Sequence, residues 1–169
     1  MMLNEIKVDY HIYCDLDGVL VDFRKKAMEV TGIYTPPEVM TPKEKKYFWR
    51  SVLDYERNGG EFWGEMDFMP DGRDLWDYIK KYNPTILTAS GSAGDAPREK
   101  REWVQKHLGS SVKCIVVGAS KDKAIYAASN HILIDDSAKA ITPWTAAGGI
   151  PIFHKSAFES IKQLQELGL

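Results

Sequence analysis

The sequence predicts an α/β fold: a parallel β-sheet with helices on both faces, carrying one small helical insertion. Three observations predict it. Five short apolar runs have strand length, segments of helical periodicity separate them, and polar residues collect just beyond the ends of the runs.

Residues 8–14 (VDYHIYC) read as the first strand, followed by a helix over 22–31 with Asp22 as its candidate N-cap. Helical spacing returns over 72–82 (GRDLWDYIKKY), and 84–88 (PTILT) is a short apolar strand. A charged amphipathic helix spans 96–108 (APREKREWVQKHL), stopped by Gly109, and its charges, Arg98 and Lys100 included, are expected to be solvated. Residues 112–117 (VKCIVV) form the third strand, a short helix covers about 122–128, and HILID at 131–135 is the fourth strand. A helix over about 137–146, the strand IPIF at 150–153 and a last helix from 156 complete the alternation.

Residues 32–70 interrupt this rhythm. They carry Pro36, Pro37, Pro42 and Pro70, the pair Gly59-Gly60, and seven aromatic residues from Tyr47 to Phe68. The stretch is too long for an ordinary loop and too aromatic for a disordered linker, so it reads as an insertion with its own helices. The division expected is therefore a core of 1–31 and 71–169 with an insertion of 32–70.

Composition excludes several classes. With 169 residues, 44% of them hydrophobic, the chain can bury a substantial single core. A net charge of −2 and a pI near 6.1 give no global attraction to long nucleic acids or membrane surfaces, so any anion must be recognised locally. Cys14 and Cys114 sit in predicted strands and read as two buried free thiols of a reducing compartment. The N-terminal MMLNEIKVDY lacks the apolar run of an export signal, and no run approaches the roughly 18 residues of a membrane span. A cytoplasmic protein, monomeric or homodimeric, is the expectation.

In a parallel sheet, ligands gather beyond the carboxyl ends of the strands. Here strand one ends at Asp15 and runs into Asp17; strand two ends at Thr88 and Ser90; strand three leads into Ser120, Lys121 and Lys123; strand four ends at Asp135 and Asp136. Several carboxylates, a hydroxyl and an ammonium group would meet on one edge. Carboxylates with water are the ligands that magnesium prefers, and such a site keeps room for phosphate oxygens. An EF-hand-type calcium loop starting at Asp15 is excluded, since Val19 stands where a third oxygen ligand is needed. Asp136 has a competing assignment as N-cap of the helix at SAKAI.

These four segments resemble the motifs of the haloacid dehalogenase-like (HAD) hydrolases: DLDGVLVDF the first, TILTAS the second, SKDKAIYA the third and ILIDDSAKAI the fourth. The likeness runs from about residue 10 to about 155 and implies a Rossmann-like core with 32–70 as a cap. It implies a magnesium-dependent phosphatase in which Asp15 is the nucleophile and Asp17 the general acid and base. Magnesium would be held by Asp15, the Asp17 backbone carbonyl and Asp136, with Asp135 orienting it or sharing the role. Thr88, Ala89 and Lys123 would hold the phosphoryl group; Lys121 competes with Lys123, which fits the family's DK pattern better.

Within the superfamily the chain is similar to 5'(3')-deoxyribonucleotidases and related phage and bacterial nucleotidases, through DGVLVDF, Phe48-Trp49, EFWGEMDFMPDG, KREWVQKHLG and KDKAIYAASNHILIDD. That likeness implies a nucleoside monophosphate as substrate, with Phe23, Phe48, Trp49 and Trp63, or its neighbour Phe62, around the base. The chain departs from the pattern in its shorter cap, in Arg50 and in ASGSAGD after the threonine. Another small phosphorylated metabolite, a nucleic-acid terminal phosphate, or a non-catalytic nucleotide-binding module are the alternatives.

Overall fold

In the computed structural model, residues 7–91 and 94–169 are described. The export-signal reading of residues 1–6, and Ser92 and Ala93 of the ASGSAGD turn, lie outside them. Five strands, β1 (His11–Cys14), β2 (Thr85–Ala89), β3 (Cys114–Val117), β4 (His131–Asp135) and β5 (Ile150–Phe153), form one parallel sheet in the order β3-β2-β1-β4-β5. The chain winds outward from β1 through β2 to β3, then crosses back to place β4 on the other side of β1. The switch point therefore lies between the carboxyl ends of β1 and β4.

Side chains alternate between the two faces, and this sorts the core. Ile12, Cys14, Ile86, Ile132, Ile134 and Ile152 point to one face, where α3 (Gly72–Ile79), α4 (Ala96–His107) and α6 (Ala157–Glu166) bring Leu75, Ile79, Trp103, Val104 and Leu164. Tyr13, Leu87 and Leu133 point to the other and meet Ile141 and Trp144 of α5 (Ala138–Ala146). Both faces are covered, as a parallel sheet requires.

Helix ends follow local chemistry. Asp22 caps α1 (Phe23–Thr31) by accepting from the Lys25 amide, and Gly32, at φ +70°, ends it. Thr41 and Glu44 form a capping box at the start of α2 (Pro42–Arg57), with Pro42 in the first turn. Ser137 and Ser156 cap α5 and α6.

The differences from the sequence reading are local. The first strand begins at His11 rather than residue 8. The helix read over 72–82 is α up to Ile79 and then a 3-10 turn over Lys80–Tyr82. The segment read as a helix over 122–128 is a 3-10 stretch, Ser120–Tyr126, a tighter winding that sets Lys123 inward and Lys121 outward. Cys14 is buried as expected, but Cys114 is only half-buried because β3 is an edge strand.

Residues 32–70 contain α2 and a 3-10 turn at Pro37–Val39. Phe48, Val52, Phe62, Trp63 and Met66 from this stretch join the same hydrophobic cluster as the sheet. The far end of the stretch is tied to the loop that follows β1, ahead of α1: Val21 bridges Phe68, the Asp22 amide donates to the Asp67 carbonyl (2.8 Å), and the Met69 amide to the Leu20 carbonyl (2.8 Å).

Candidate active site

The backbone leaves β1 through Asp15, whose amide still donates to Ile134 on β4 (3.0 Å), and then turns tightly as the Val19, Leu20 and Val21 amides all point to the Leu16 carbonyl. Gly18, at φ +81°, makes this turn possible. It also makes room: a methyl group on Gly18 would lie 2.0 Å from Asp136 Oδ2. The close approach of the β1 and β4 loops thus depends on a missing side chain.

Asp15, Asp135 and Asp136 each bring a carboxylate oxygen within 4.8 Å of the others, a spacing suited to one cation. Lys123 lies against the cluster, 3.0 Å from Asp15 Oδ1 and 2.6 Å from Asp135 Oδ2, and is fully buried. Lys121 is exposed, so the structure brings Lys123 to the acids and leaves Lys121 in solvent. Asp136 does not cap α5, since Ser137 does; Asp135 Oδ1 instead accepts from the Ser137 amide (2.9 Å).

Electrostatics follow from this crowding. Burial, and then Asp135, push the Asp15 carboxyl well above the usual carboxylate range, with Lys123 opposing. Burial disfavours the Lys123 charge, but Asp15 and Asp135 outweigh it and raise its pKa. Asp136 is exposed as a residue, yet its carboxyl is tucked against Gly18; desolvation and Asp135 lift it to about 6. If all four aspartates are ionised, Lys100 and Lys123 leave two negative charges unbalanced, the charge a divalent cation carries. The donors, all oxygens and partly desolvated, fit magnesium.

Asp17 has a partner that the sequence reading missed. Its Oδ2 sits 2.6 Å from Lys100 Nζ, which also donates to Thr88 Oγ1 (3.1 Å) and the Ala89 carbonyl (3.1 Å). Lys100 is 2% exposed, and its neighbour Glu99 1%, so the expectation that this helix start is solvated is corrected for both. Arg98 does stay at the surface, paired with Glu102 and Glu61. The signal was present in the spacing: Ala96, Glu99, Lys100, Trp103 and Val104 share one face of α4. Charged residues on that stripe are on the buried side.

A cleft of about 890 Å³ opens over these groups. Asp15, Asp17, Asp135, Asp136, Lys123, Ser120 and Ala89 line its floor, and Phe23 and Phe48 line its side. Thr88 lies beneath the floor, fully buried, with its hydroxyl held by Lys100. Trp49 and Trp63 do not line this cleft; they face a second cavity beside it. Phe62 is buried in the core, edge-on to Trp63.

Among the described residues, no helix is long and apolar enough to cross a membrane. No protein-family model matches the chain, and no curated protein does. Solved structures do. A hydrolase from Streptococcus pneumoniae TIGR4 is 18% identical with a TM-score of 0.58, over 94% of this chain and 99% of that one. A HAD-superfamily hydrolase from Ehrlichia chaffeensis is 15% identical with a TM-score of 0.55, over 94% and 97%. A haloacid dehalogenase-like family hydrolase from Xanthomonas campestris is 12% identical with a TM-score of 0.60, over 98% and 94%. At such identities the likeness is one of architecture: the five-stranded parallel sheet with helices on both faces matches the Rossmann-like core of HAD hydrolases.

Proposed function

We propose that the protein is a phosphomonoesterase acting on nucleoside monophosphates, deoxyribonucleotides among them, through an aspartyl-phosphate on Asp15. One observation carries this: Asp15 and Asp17 stand at a sheet switch point, each held by its own buried lysine, on the floor of an open cleft. The fold match to HAD hydrolases and the aromatic side wall support the same reading.

An oxygen of Asp15 attacks phosphorus and forms an O–P bond while the bond from phosphorus to the ester oxygen breaks. Asp17 passes a proton to the departing oxygen, giving the free alcohol. Water then attacks the phosphorus, Asp17 takes its proton, and the Asp15 O–P bond breaks to release inorganic phosphate. Lys123, beside Asp15, offsets charge as the phosphoryl group arrives; Lys100 orients Asp17 by holding Oδ2. Magnesium, bound by Asp15, Asp135 or Asp136 and the Asp17 carbonyl, would supply charge neutralisation at the phosphoryl oxygens.

Phosphate release from p-nitrophenyl phosphate and from a panel of nucleoside and sugar monophosphates, with magnesium, tests this. The expected result is turnover with nucleotides preferred, lost in Asp15→Asn, and a phosphorylated aspartate trapped at Asp15. No release, or undiminished release by Asp15→Asn, would overturn it.

A further inference from the structure

The buried stripe of α4 carries three polar side chains, Glu99, Lys100 and Trp103, and they reach in two directions. Glu99 Oε2 accepts from the Trp63 and Gly64 amides (2.9 and 3.3 Å), and one turn later Trp103 Nε1 donates to the Met66 carbonyl (2.8 Å). These ties hold residues 63–66, where the 32–70 stretch returns toward the bridge between Phe68 and Val21. Lys100, the residue after Glu99, instead holds Asp17, Thr88 and Ala89. Successive side chains on a helix point about 100° apart. One turn of α4 thus grips the stretch with one residue and the cleft with the next.

Glu99 is 1% exposed. Its one ion-pair partner among the described residues, Arg98, stands 3.9 Å away and half in solvent, whereas the two amides of residues 63 and 64 meet it inside. Lifting those amides away would leave both them and a buried carboxyl unsatisfied, which costs more than the bonds themselves contribute. The start of α4 and the return of the stretch are therefore held in one arrangement.

We propose that Glu99 is a positioning residue for Asp17: by clamping the 63–64 backbone to α4, it ties the seating of the 32–70 stretch to the grip of Lys100 on the proton-transfer group. The role of Asp17 rests on the phosphatase reading; the clamp itself does not. Because the clamp engages backbone amides, side chains of the stretch can vary without releasing it. Hydrogen bonds and one rigid helical turn suffice to carry such coupling.

Leaving groups provide the first test. p-Nitrophenolate departs without a proton, whereas the alcohol released from a nucleotide needs one from Asp17, so a displaced Asp17 harms the second reaction more. In Glu99→Leu, kcat/KM should fall about tenfold for a mononucleotide and less than about threefold for p-nitrophenyl phosphate. Glu99→Gln, which keeps an accepting oxygen, should restore most of the loss. Equal falls with both substrates, as lost fold alone would give, or no rescue by Glu99→Gln, would overturn the proposal. Should Glu99→Leu fail to fold, Trp103→Phe, which removes only the donor to Met66, carries the comparison: the same bias between substrates supports the clamp and an unchanged ratio overturns it.

A double-mutant cycle gives the second test. Added to Lys100→Met, Glu99→Leu should cost less than about twofold more with the mononucleotide, because both act through one lysine; a further loss of about tenfold would overturn the proposal. A wild type without turnover would sink the phosphatase reading alone, and amide exchange then decides the clamp. Glu99→Leu should quicken exchange about tenfold at Trp63 and Gly64 and also at Gly18, whose amide donates to Val21 in the turn beside Asp17. Quickening confined to residues 63 and 64 would overturn the coupling.

Discussion

Lys100 Nζ and Asp17 Oδ2 stand 2.6 Å apart across 83 residues of sequence, and the lysine is buried to 98% of its surface. A charge so enclosed is tolerated only with its partners in place. The pair fixes the orientation of Asp17 relative to the sheet, because Lys100 is anchored at the same time to Thr88 and Ala89 on β2.

Lys100→Met should therefore lower kcat by roughly 10²- to 10³-fold, since it frees Asp17, the proton-transfer group of the proposed mechanism. Steady-state kinetics on a mononucleotide check this. Lys100→Arg, which restores charge but not the compact geometry, should recover only part of the rate.

Gly18→Ala should damage the site more than the fold. The new methyl group meets Asp136 Oδ2, the movable end of a side chain, and the φ of +81° adds a cost of about 1 kcal/mol. The expected outcome is a modest fall in thermal midpoint and at least a tenfold loss of magnesium affinity by calorimetry.

Magnesium at millimolar concentration should raise the thermal midpoint of the wild-type protein, as any ligand of the native state alone does. Asp136→Asn should abolish that rise. It should also raise the midpoint measured in EDTA at pH 8, because burial and Asp135 disfavour the ionised form of Asp136.

Glu99 carries a pH dependence of its own. Its folded-state value of about 7, against an ordinary 4.5, means the folded protein keeps a proton that the unfolded chain releases between those values. Its contribution to stability therefore falls as pH rises from about 4.5 to about 7 and stays low above that. The loss is on the order of 1 to 3 kcal/mol. Denaturant melts at pH 5 and pH 8 should show this decline in the wild type and a smaller one in Glu99→Gln.

Much of this was legible before the structure. The strand-end acids Asp15, Asp135 and Asp136 were readable because a parallel sheet gathers strand ends on one edge, and HILID and IPIF coincide with β4 and β5. What stayed hidden was set by long-range partners. PREKREW looks solvated when charge alone is weighed; only the buried stripe of Trp103 and Val104 places Lys100 inside. Periodicity could not separate a 3-10 stretch from an α-helix at Ser120–Tyr126, although that winding is what turns Lys123 toward Asp15. The aromatic residues near 48 and 63 were expected as one group around a ligand; adjacent side chains on α2 instead face different cavities, Phe48 one and Trp49 the other.

The bridge between Val21 and Phe68 has a wider meaning for how such a chain can change. A loop whose feet are already joined tolerates resizing cheaply, since each doubling of its length costs only about 0.6 kcal/mol in closure entropy. Exposed positions between the feet can be rewritten or lengthened while Phe48, Val52 and Phe62 keep their places in the core and the acids below keep theirs. Under the proposed function, substrate choice and bond-breaking would then rest on separately variable parts of one small protein.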